Sequence, residues 1–266
     1  MRELERDLPE AAGREAGGVP LARLVIVGAG RVGTAMARAA DAAGLEVALA
    51  GRDDVCRACV GADVVLLCVP DAGIEAACRE AAAAEPPPSF VGHTSGATTL
   101  DAMAVATERG AQAFSLHPLQ TVPSGNTDLT GAPVAIAGST PEALAVARAL
   151  GERLGMTPFE VPEEARAAYH AAASIASNFL ITLEESAAAL LGRIGVDDGR
   201  ELLAPLVLRT AANWAEAGSV ALTGPIARGD TETVQRHLAA LRDTAPELAD
   251  LYQALAERTR AVAESR

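Results

Sequence analysis

The chain has 266 residues, enough for one large domain or two of modest size, and half of the residues are apolar. Aromatic residues make up only 3% of the chain and its net charge is −13 at pH 7. Nucleic-acid binding needs basic residues against phosphate and aromatic rings for base stacking, so this composition argues against it. All 22 basic residues are arginines, which excludes a catalytic lysine.

The N-terminal segment 1–20 is rich in Arg, Glu, Gly, Ala and Pro and contains no apolar core like that of a signal peptide. It predicts a disordered tail. No stretch is apolar for long enough to span a membrane. Cys56 and Cys59 form a CxxC pair, but no second pair or flanking histidine completes a zinc set, so we expect no metal. The four cysteines show no extracellular pattern, which favours a cytoplasmic location.

The first predicted strand, 21–27, runs into a glycine-rich loop with the pattern GxGxxG, which is followed by alanines at helical spacing. In this pattern Gly28 makes the tight turn, Gly30 lets a pyrophosphate approach the backbone, and Gly33 lets the helix pack on the strand. The helix N-terminus then faces the phosphates. The predicted cofactor-binding residues of this loop are Gly28, Ala29, Gly30, Arg31, Val32 and Gly33.

The second predicted strand, 45–50, is followed by Gly51 and Arg52. A site that prefers NAD places a carboxylate at the end of this strand, whereas a guanidinium suits the 2′-phosphate of NADP. Arg52 therefore favours NADP over NAD, although Asp53 and Asp54 follow directly.

Further apolar runs alternate with helical segments, which predicts an α/β fold with a doubly wound parallel sheet. Strands are expected at 62–69, 90–93, 111–116 and 133–137, and Thr140 with Pro141 and Glu142 predicts the start of a helix. The carboxyl ends of parallel strands form the ligand-binding edge of such a sheet. Residues after these strands should therefore converge there: Val69, Pro70, Asp71, His93, Ser95, Gly96, His117 and Gln120.

The sequence changes character at about Pro162, which predicts a Rossmann-like NADP-binding domain at 21–161 and a helical substrate and dimerisation domain at 162–266. In a long predicted helix, 163–191, the polar residues His170, Ser174 and Asn178 recur at every fourth position within apolar surroundings. Such polar groups need partners. Two interpretations remain open, a ligand or a hydrogen-bond network between helices.

Further helices are predicted at 198–217, 231–243 and 245–263, and a polar loop, Leu222–Asp230, precedes the second of these. Thr223 and Arg228 in this loop are candidate substrate-binding residues. The alternatives are that Asp230 caps the following helix and that Arg228 is an ordinary surface charge.

Taken together, these motifs resemble a family of short bacterial oxidoreductases in which a Rossmann-like domain precedes an uncharacterised helical domain. The family is distantly similar to the 6-phosphogluconate dehydrogenase superfamily, which includes pyrroline-5-carboxylate reductase, prephenate dehydrogenase and ketopantoate reductase. The likeness covers nearly all of the chain from Arg23 onward. It rests on GAGRVGTAMARA, LLCVPD, VGHTSGA, SLHPLQT, YHAAASIASNFL and LTGPIARGD.

The resemblance implies an NADP-dependent oxidoreductase with a small-molecule substrate, and a homodimer formed through alanine-rich helices. Several relatives use a helix lysine as proton donor with an asparagine nearby. This chain has no lysine, and His170 is a candidate to replace it, with Asn178 two turns further on. Prephenate dehydrogenases carry a His-Pro pair whose histidine contacts the substrate hydroxyl, which implies such a role for His117.

The leading hypothesis is hydride transfer between the nicotinamide and a small carbonyl, hydroxy or imine acid, at a site between the two domains. His117, with His170 as its rival, is the predicted acid or base because histidine titrates near neutral pH. Asn178 and Ser174 are predicted to hold the substrate oxygen, and Arg228 to pair with a substrate carboxylate. Two alternatives are a regulatory protein that binds NADP without catalysis and a prephenate-like dehydrogenase.

Overall fold

The computed structural model describes residues 21–266. The predicted tail at 1–20 lies outside the described residues. The chain divides into two compact units, the first ending at Ala173 and the second spanning Ser174–Arg266. This division falls later in the chain than position 162, where the sequence changes character.

A seven-stranded sheet forms the centre of the first unit, with the strand order β2-β1-β3-β4-β5-β6-β7. The reversal of strand order beside β1 places a ligand crevice at the carboxyl ends of β1 and β3 in folds of this kind. The strands are β1 (Arg23–Val27), β2 (Glu46–Ala50), β3 (Val64–Leu67), β4 (Phe90–His93), β5 (Gln112–Pro118), β6 (Pro133–Gly138) and β7 (Thr157–Glu160).

Strands β1 to β5 are parallel, which confirms the predicted doubly wound parallel sheet, and the sheet also contains one antiparallel pairing that was not predicted. Strand β6 pairs antiparallel with β5, with His117 opposite Ala135, and β7 is parallel to β6. The final strand was not predicted, because its four residues include a proline and show no apolar run.

Helices cover both faces of the sheet, and side chains of alternate residues in each strand enter different cores. Leu24 and Ile26 of β1 pack in one core, and Val25 and Val27 pack in the other. Buried strands of parallel sheets are apolar on both faces for this reason. The helices of the first unit are α1 (Arg31–Ala42), α2 (Val55–Ala58), α3 (Ile74–Ala82), α4 (Ala104–Glu108) and α5 (Pro141–Arg153), and the unit ends within α6 (Arg166–Ala176). Thr140 caps α5 as predicted, since its hydroxyl accepts a hydrogen bond from the Ala143 N–H.

The second unit is helical, as predicted, but the single long helix expected at 163–191 was wrong. A short 3-10 turn precedes α6, and Ser177 separates α6 from α7 (Asn178–Arg193). The remaining helices are α8 (Gly199–Ala217), α9 (Thr231–Thr244) and α10 (Ala249–Glu264). None of the helices between residues 21 and 266 combines the length and apolarity that a membrane span requires.

Candidate active site at the carboxyl edge of the sheet

The loop between β1 and α1 packs so closely against the neighbouring backbone that only glycine fits at two of its positions. Gly28 has a φ of +106°, and a Cβ there would lie 2.4 Å from the Cys68 carbonyl oxygen. A Cβ on Gly33 would lie 1.9 Å from the Gly28 carbonyl oxygen. Gly30, by contrast, faces open space, with no described atom within 4 Å of the position of a Cβ. The turn predicted at Gly28 and the close packing predicted at Gly33 agree with these contacts, and the approach of a pyrophosphate to Gly30 stays a prediction.

Helix α1 begins at Arg31 without a side-chain cap on its first N–H groups. Such groups attract an anion because they lack partners within the helix and carry the positive end of its dipole. Ala29, Gly30 and Arg31 are exposed beside them, and Val32 is partly exposed. An open cradle around Gly30, at the start of a 12-residue helix, fits the pyrophosphate of a dinucleotide.

Other predicted cofactor residues surround the same edge of the sheet. Arg52 is exposed and begins a 3-10 turn directly after β2. Val69, Pro70 and Asp71 follow β3, and a second 3-10 turn begins at Asp71. The thiol of Cys68 in this segment is buried, and burial raises its pKa to about 12, so it is protonated and unreactive at neutral pH.

The turn after β4 is held from inside by two of the predicted residues. The imidazole of His93 is fully buried, and its Nδ1 accepts a hydrogen bond from the Ser95 N–H at 3.2 Å. The Ser95 hydroxyl accepts from the N–H groups of Ala97 (3.2 Å) and Thr98 (3.0 Å). Burial, assisted by the Arg166 cation, lowers the pKa of His93 to about 4. Both side chains therefore shape the turn, and His93 is neutral at pH 7.

His117, at the carboxyl end of β5, is the centre of a cluster with three residues from other segments. Its Nδ1 lies 2.7 Å from the Tyr169 hydroxyl, and the two rings meet edge to face at 86°. The ring of His170 lies 6.0 Å from that of His117, between centroids. A Cβ on Gly96 would lie 2.6 Å from His170 Cδ2 and 2.9 Å from His117 Nε2. The fold thus brings together His117 and His170, the two rival acid–base candidates.

Arg166 lies behind this cluster and is buried to 99%, since only 1% of it is exposed. Its Nη1 donates to the Ser115 hydroxyl at 2.7 Å and pairs with Glu163 at 3.2 Å, and its Nη2 donates to the Ser95 carbonyl at 2.6 Å. Glu163 also accepts from the Leu100 N–H at 2.7 Å. Arg166 therefore connects α6 to the β4 turn and to β5.

These surroundings keep His117 neutral and Tyr169 protonated. Burial, together with the neighbouring His170 and the Arg166 cation, lowers the pKa of His117 to about 4, and Asp71 acts weakly in the opposite direction. Burial raises the pKa of Tyr169 to about 12, against a lowering by Arg166. At neutral pH the hydrogen bond therefore joins two uncharged groups.

Tyr169 and Arg166 were not among the residues predicted from the sequence. A signal for Tyr169 was present, because the chain has only two tyrosines and this one directly precedes His170. The helical spacing of Arg166 to Tyr169 and to His170 puts all three on one face of α6. The burial of Arg166 had no such signal, since arginine is rarely buried without partners and its partners are 51 and 71 residues away.

The remaining predicted residues lie outside this cluster or in the second unit. Gln120 is exposed, and its Nε2 donates to the Asp128 carbonyl at 2.9 Å, within a loop. Ser174 and Asn178 belong to the second unit, where the break at Ser177 interrupts the predicted stripe. Their roles remain predictions.

The polar loop of the second unit is compact. The Asp230 side chain caps α9 by accepting from the Thr233 N–H at 3.0 Å, as the alternative interpretation predicted. Thr223 and Arg228 are exposed. A cavity of about 260 Å³ beside this loop is lined by other residues, among them Ile226, Gly229 and Arg260. The substrate-binding roles of Thr223 and Arg228 remain predictions.

The described part of the chain contains no cluster of metal-ligating side chains. Between residues 21 and 266, no three His, Cys, Asp or Glu side chains are grouped so that they could hold a metal ion. All four cysteines lie in this range and are free thiols, including the predicted CxxC pair Cys56 and Cys59.

Two family models match the chain. Residues 46–118 match a Rossmann-like domain, and residues 132–259 match the Domain of unknown function (DUF2520). The second match begins at β6 and continues through the helical unit. A comparison with curated proteins finds no match.

Solved structures share the fold. The NADP oxidoreductase candidate BF3122 from Bacteroides fragilis is 22% identical with a TM-score of 0.73, over 92% of this chain and 100% of that one. Protein TM1727 from Thermotoga maritima is 21% identical with the same TM-score, over 91% and 98% of the two chains. An imine reductase from Streptomyces aurantiacus is 16% identical with a TM-score of 0.64, over 91% and 98%. The chain therefore shares its fold with these structures and matches the Rossmann-like and DUF2520 models over the residues given above.

Proposed function

We propose that the protein is an NADP-dependent oxidoreductase that transfers a hydride between the nicotinamide and a small carbonyl or hydroxy acid, or the corresponding imine. The observation that carries this proposal is the cluster of His117, Tyr169 and His170 at the carboxyl end of β5. It lies on the same edge of a parallel sheet as the open glycine cradle at the start of α1. Ligands bind at this edge in doubly wound folds.

The proposed cofactor rests on the shape of the cradle and on one charge. Gly30 and the uncapped start of α1 suit a pyrophosphate, and the exposed Arg52 after β2 suits the 2′-phosphate of NADP. The name of one structure with this fold, the NADP oxidoreductase candidate from Bacteroides fragilis, agrees with such a cofactor.

In the proposed reaction the bound nicotinamide supplies or accepts a hydride, and the protein handles the accompanying proton. We assign this proton to His117 because its ring is held in place by Tyr169 and packs against His170 and Gly96. An uncharged imidazole still carries one N–H, which can donate a hydrogen bond to a carbonyl oxygen or an imine nitrogen. His170 is the second group in reach of the same space.

The proposal is tested first by cofactor titration. NADPH and NADH are titrated into the purified protein, and binding is followed by nicotinamide fluorescence. Arg52→Glu should weaken NADPH binding about tenfold or more and change NADH binding by less than about twofold, since only the former carries the 2′-phosphate. Arg79→Glu, at an exposed position on α3, is the control and should change neither affinity.

Turnover is then measured with small keto acids, hydroxy acids and imines. His117→Asn and His170→Asn should each reduce kcat, whereas His237→Asn, at an exposed position of α9, should leave it unchanged. Wild-type turnover in both of the first two variants would refute the acid–base assignment. Tight NADPH binding without any turnover would instead support a regulatory protein, and reduction of NADP with a cyclohexadienyl acid would support a prephenate-like dehydrogenase.

The protein is also proposed to act as a homodimer through its second unit. Every residue of α7 and α8 is partly or fully exposed in the described chain. Large apolar side chains are among the most exposed, such as Leu206 at 63%, Leu208 at 70% and Trp214 at 68%. Exposed apolar surface of this kind is typical of an interface, and a second copy is the occupant that we propose.

A further inference from the structure

The hydrogen bond between Tyr169 and His117 has a preferred direction. A phenol is a stronger acid than a neutral imidazole N–H, and an imidazole nitrogen is a stronger acceptor than a phenol oxygen. The distance of 2.7 Å is that of a strong hydrogen bond. The Tyr169 hydroxyl therefore donates to His117 Nδ1, which leaves the single ring proton of His117 on Nε2.

The Nε2 atom of His117 faces the space beside Gly96. A Cβ at that position would lie 2.9 Å from Nε2 and from Cε1, so a glycine there keeps a side chain away from this edge of the ring. The opposite edge is occupied by Tyr169. The ring is thus held at Nδ1 by the Tyr169 hydroxyl, and its Cε1 and Nε2 atoms lie beside Gly96.

The charges around the pair favour a phenolate over an imidazolium. Arg166 is 1% exposed, and its cation acts to lower the pKa of both Tyr169 and His117. His170 acts against a charged His117, and only Asp71 acts in its favour. Arg166 therefore offsets part of the effect of burial, which raises the pKa of Tyr169 to about 12, whereas burial, His170 and Arg166 all penalise positive charge on His117.

We propose that Tyr169 is the proton source behind His117 and that the two residues form a relay. This inference rests on the proposed function for the substrate and the hydride. As the hydride reaches the carbonyl carbon, the C=O π pair moves to the oxygen, which takes the Nε2 proton of His117. The Tyr169 O–H bond breaks as its proton moves to Nδ1. His117 remains neutral in its other tautomer, and the residual charge is the Tyr169 phenolate, which the Arg166 cation favours. In the reset, Nε2 takes a proton from the solvent as the Nδ1 proton returns to Tyr169.

The relay explains how a histidine with a pKa of about 4 can donate a proton at pH 7. A lone histidine of this kind would have to become an imidazolide anion, which is far too basic. With Tyr169 as the donor to Nδ1, the charge left behind is a phenolate, which the buried Arg166 cation favours. Tyr169 thus supplies the proton that a helix lysine supplies in oxidoreductases with a catalytic lysine.

The chain offers a matched control for a test of this relay. Its other tyrosine, Tyr252, also lies 2.7 Å from a histidine Nδ1, that of His237, with the rings edge to face at 88°. This second pair lies wholly in the second unit. Tyr169→Phe and Tyr252→Phe therefore remove the same hydroxyl from the same kind of pair, and only the first belongs to the relay.

The first measurement uses the resting protein and does not depend on any activity. Two-bond ¹H–¹⁵N correlation spectra resolve the tautomers of the four histidines. His117 is expected in the Nε2–H form in the wild type and in Tyr252→Phe, and in a mixture of both forms in Tyr169→Phe. An Nδ1–H form of His117 in the wild type would overturn the relay.

The second measurement uses turnover. Tyr169→Phe should reduce kcat about 100-fold with unchanged NADPH affinity, whereas Tyr252→Phe should match the wild type. The rate should depend on the deuterium content of the solvent along a curve in the wild type, since two protons move, and along a straight line in Tyr169→Phe. Equal kcat values in both variants would overturn the relay. Absence of turnover with every substrate would refute the proposed function, and the tautomer measurement would then decide the proton source separately.

Discussion

The buried guanidinium of Arg166 supports a quantitative prediction for Arg166→Met. Methionine fills much of the same volume but removes the hydrogen bonds to the Ser115 hydroxyl and the Ser95 carbonyl and the ion pair with Glu163. The Ser115 hydroxyl oxygen and the Ser95 carbonyl each lose the donor that they accept from, and a buried polar group without a partner costs about 1–3 kcal/mol.

Loss of the ion pair adds to this cost, although less than for a fully buried pair. Breaking a buried pair costs about 3–5 kcal/mol, but the Glu163 side chain is 34% exposed and keeps its bond to the Leu100 N–H. The variant no longer buries a guanidinium and therefore avoids the cost of desolvating it, which offsets part of the loss. We therefore expect Arg166→Met to lower the free energy of unfolding by about 2–4 kcal/mol.

The control for this variant is Arg109→Met. Arg109 pairs with Glu85 at 2.7 Å, but its side chain is 45% exposed, and surface pairs of this kind contribute less than about 1 kcal/mol. Both variants are measured by urea unfolding at pH 7, with the slope compared as well as the midpoint. If Arg166→Met destabilises the protein no more than Arg109→Met does, the account of Arg166 as a structural connection is wrong.

Three further predictions concern acidity, packing and assembly. Lowering the pH from 6.5 towards 4 should reduce the free energy of unfolding measured in urea. In this range His93 and His117 bind protons in the unfolded chain but stay neutral in the folded protein, where their pKa is about 4. A pH-independent free energy of unfolding would contradict those pKa shifts. Gly96→Ala should lower the free energy of unfolding by about 1–3 kcal/mol, and with it the melting temperature, because the new methyl group collides with two histidine rings, whereas Gly192→Ala in open space on α7 should be neutral or stabilising; equal effects would count against the packing described. Leu206→Glu should turn a dimer into a monomer in sedimentation velocity, and a wild-type monomer would refute the proposed assembly.

Much of the first unit could be predicted from the sequence because local patterns decide it. The GxGxxG loop, the parallel strands β1 to β5 and the helix cap at Thr140 depend on neighbouring residues, and so does the cap at Asp230 in the second unit. The direction of β6 could not be predicted, since an apolar run has the same composition in either orientation. The end of α6 at Ser177 was equally hidden, because the alanine-rich sequence on both sides favours a helix.

Among the residues of the candidate site, those at the ends of strands could be predicted from the sequence. His117 could be assigned to the edge of the sheet because it ends β5, whereas its partner Tyr169 comes from 52 residues later. Nothing in the local sequence of either residue encodes that contact. The buried position of Arg166 likewise depends on acceptors in β5 and in the turn after β4, which only the folded chain brings together.

The distant origin of α6 has a consequence for the order of events during synthesis. All seven strands have been made once Glu160 is joined to the chain, but Arg166 and Tyr169 come later. Until they leave the ribosome, the Ser95 carbonyl and the Ser115 hydroxyl lack the guanidinium that they bind in the finished protein. Domains generally fold as units, and the N-terminal ones fold first during synthesis. The candidate active site is therefore completed only when α6 docks, and a nascent chain that stopped short of Arg166 would lack both the guanidinium and the tyrosine of that site.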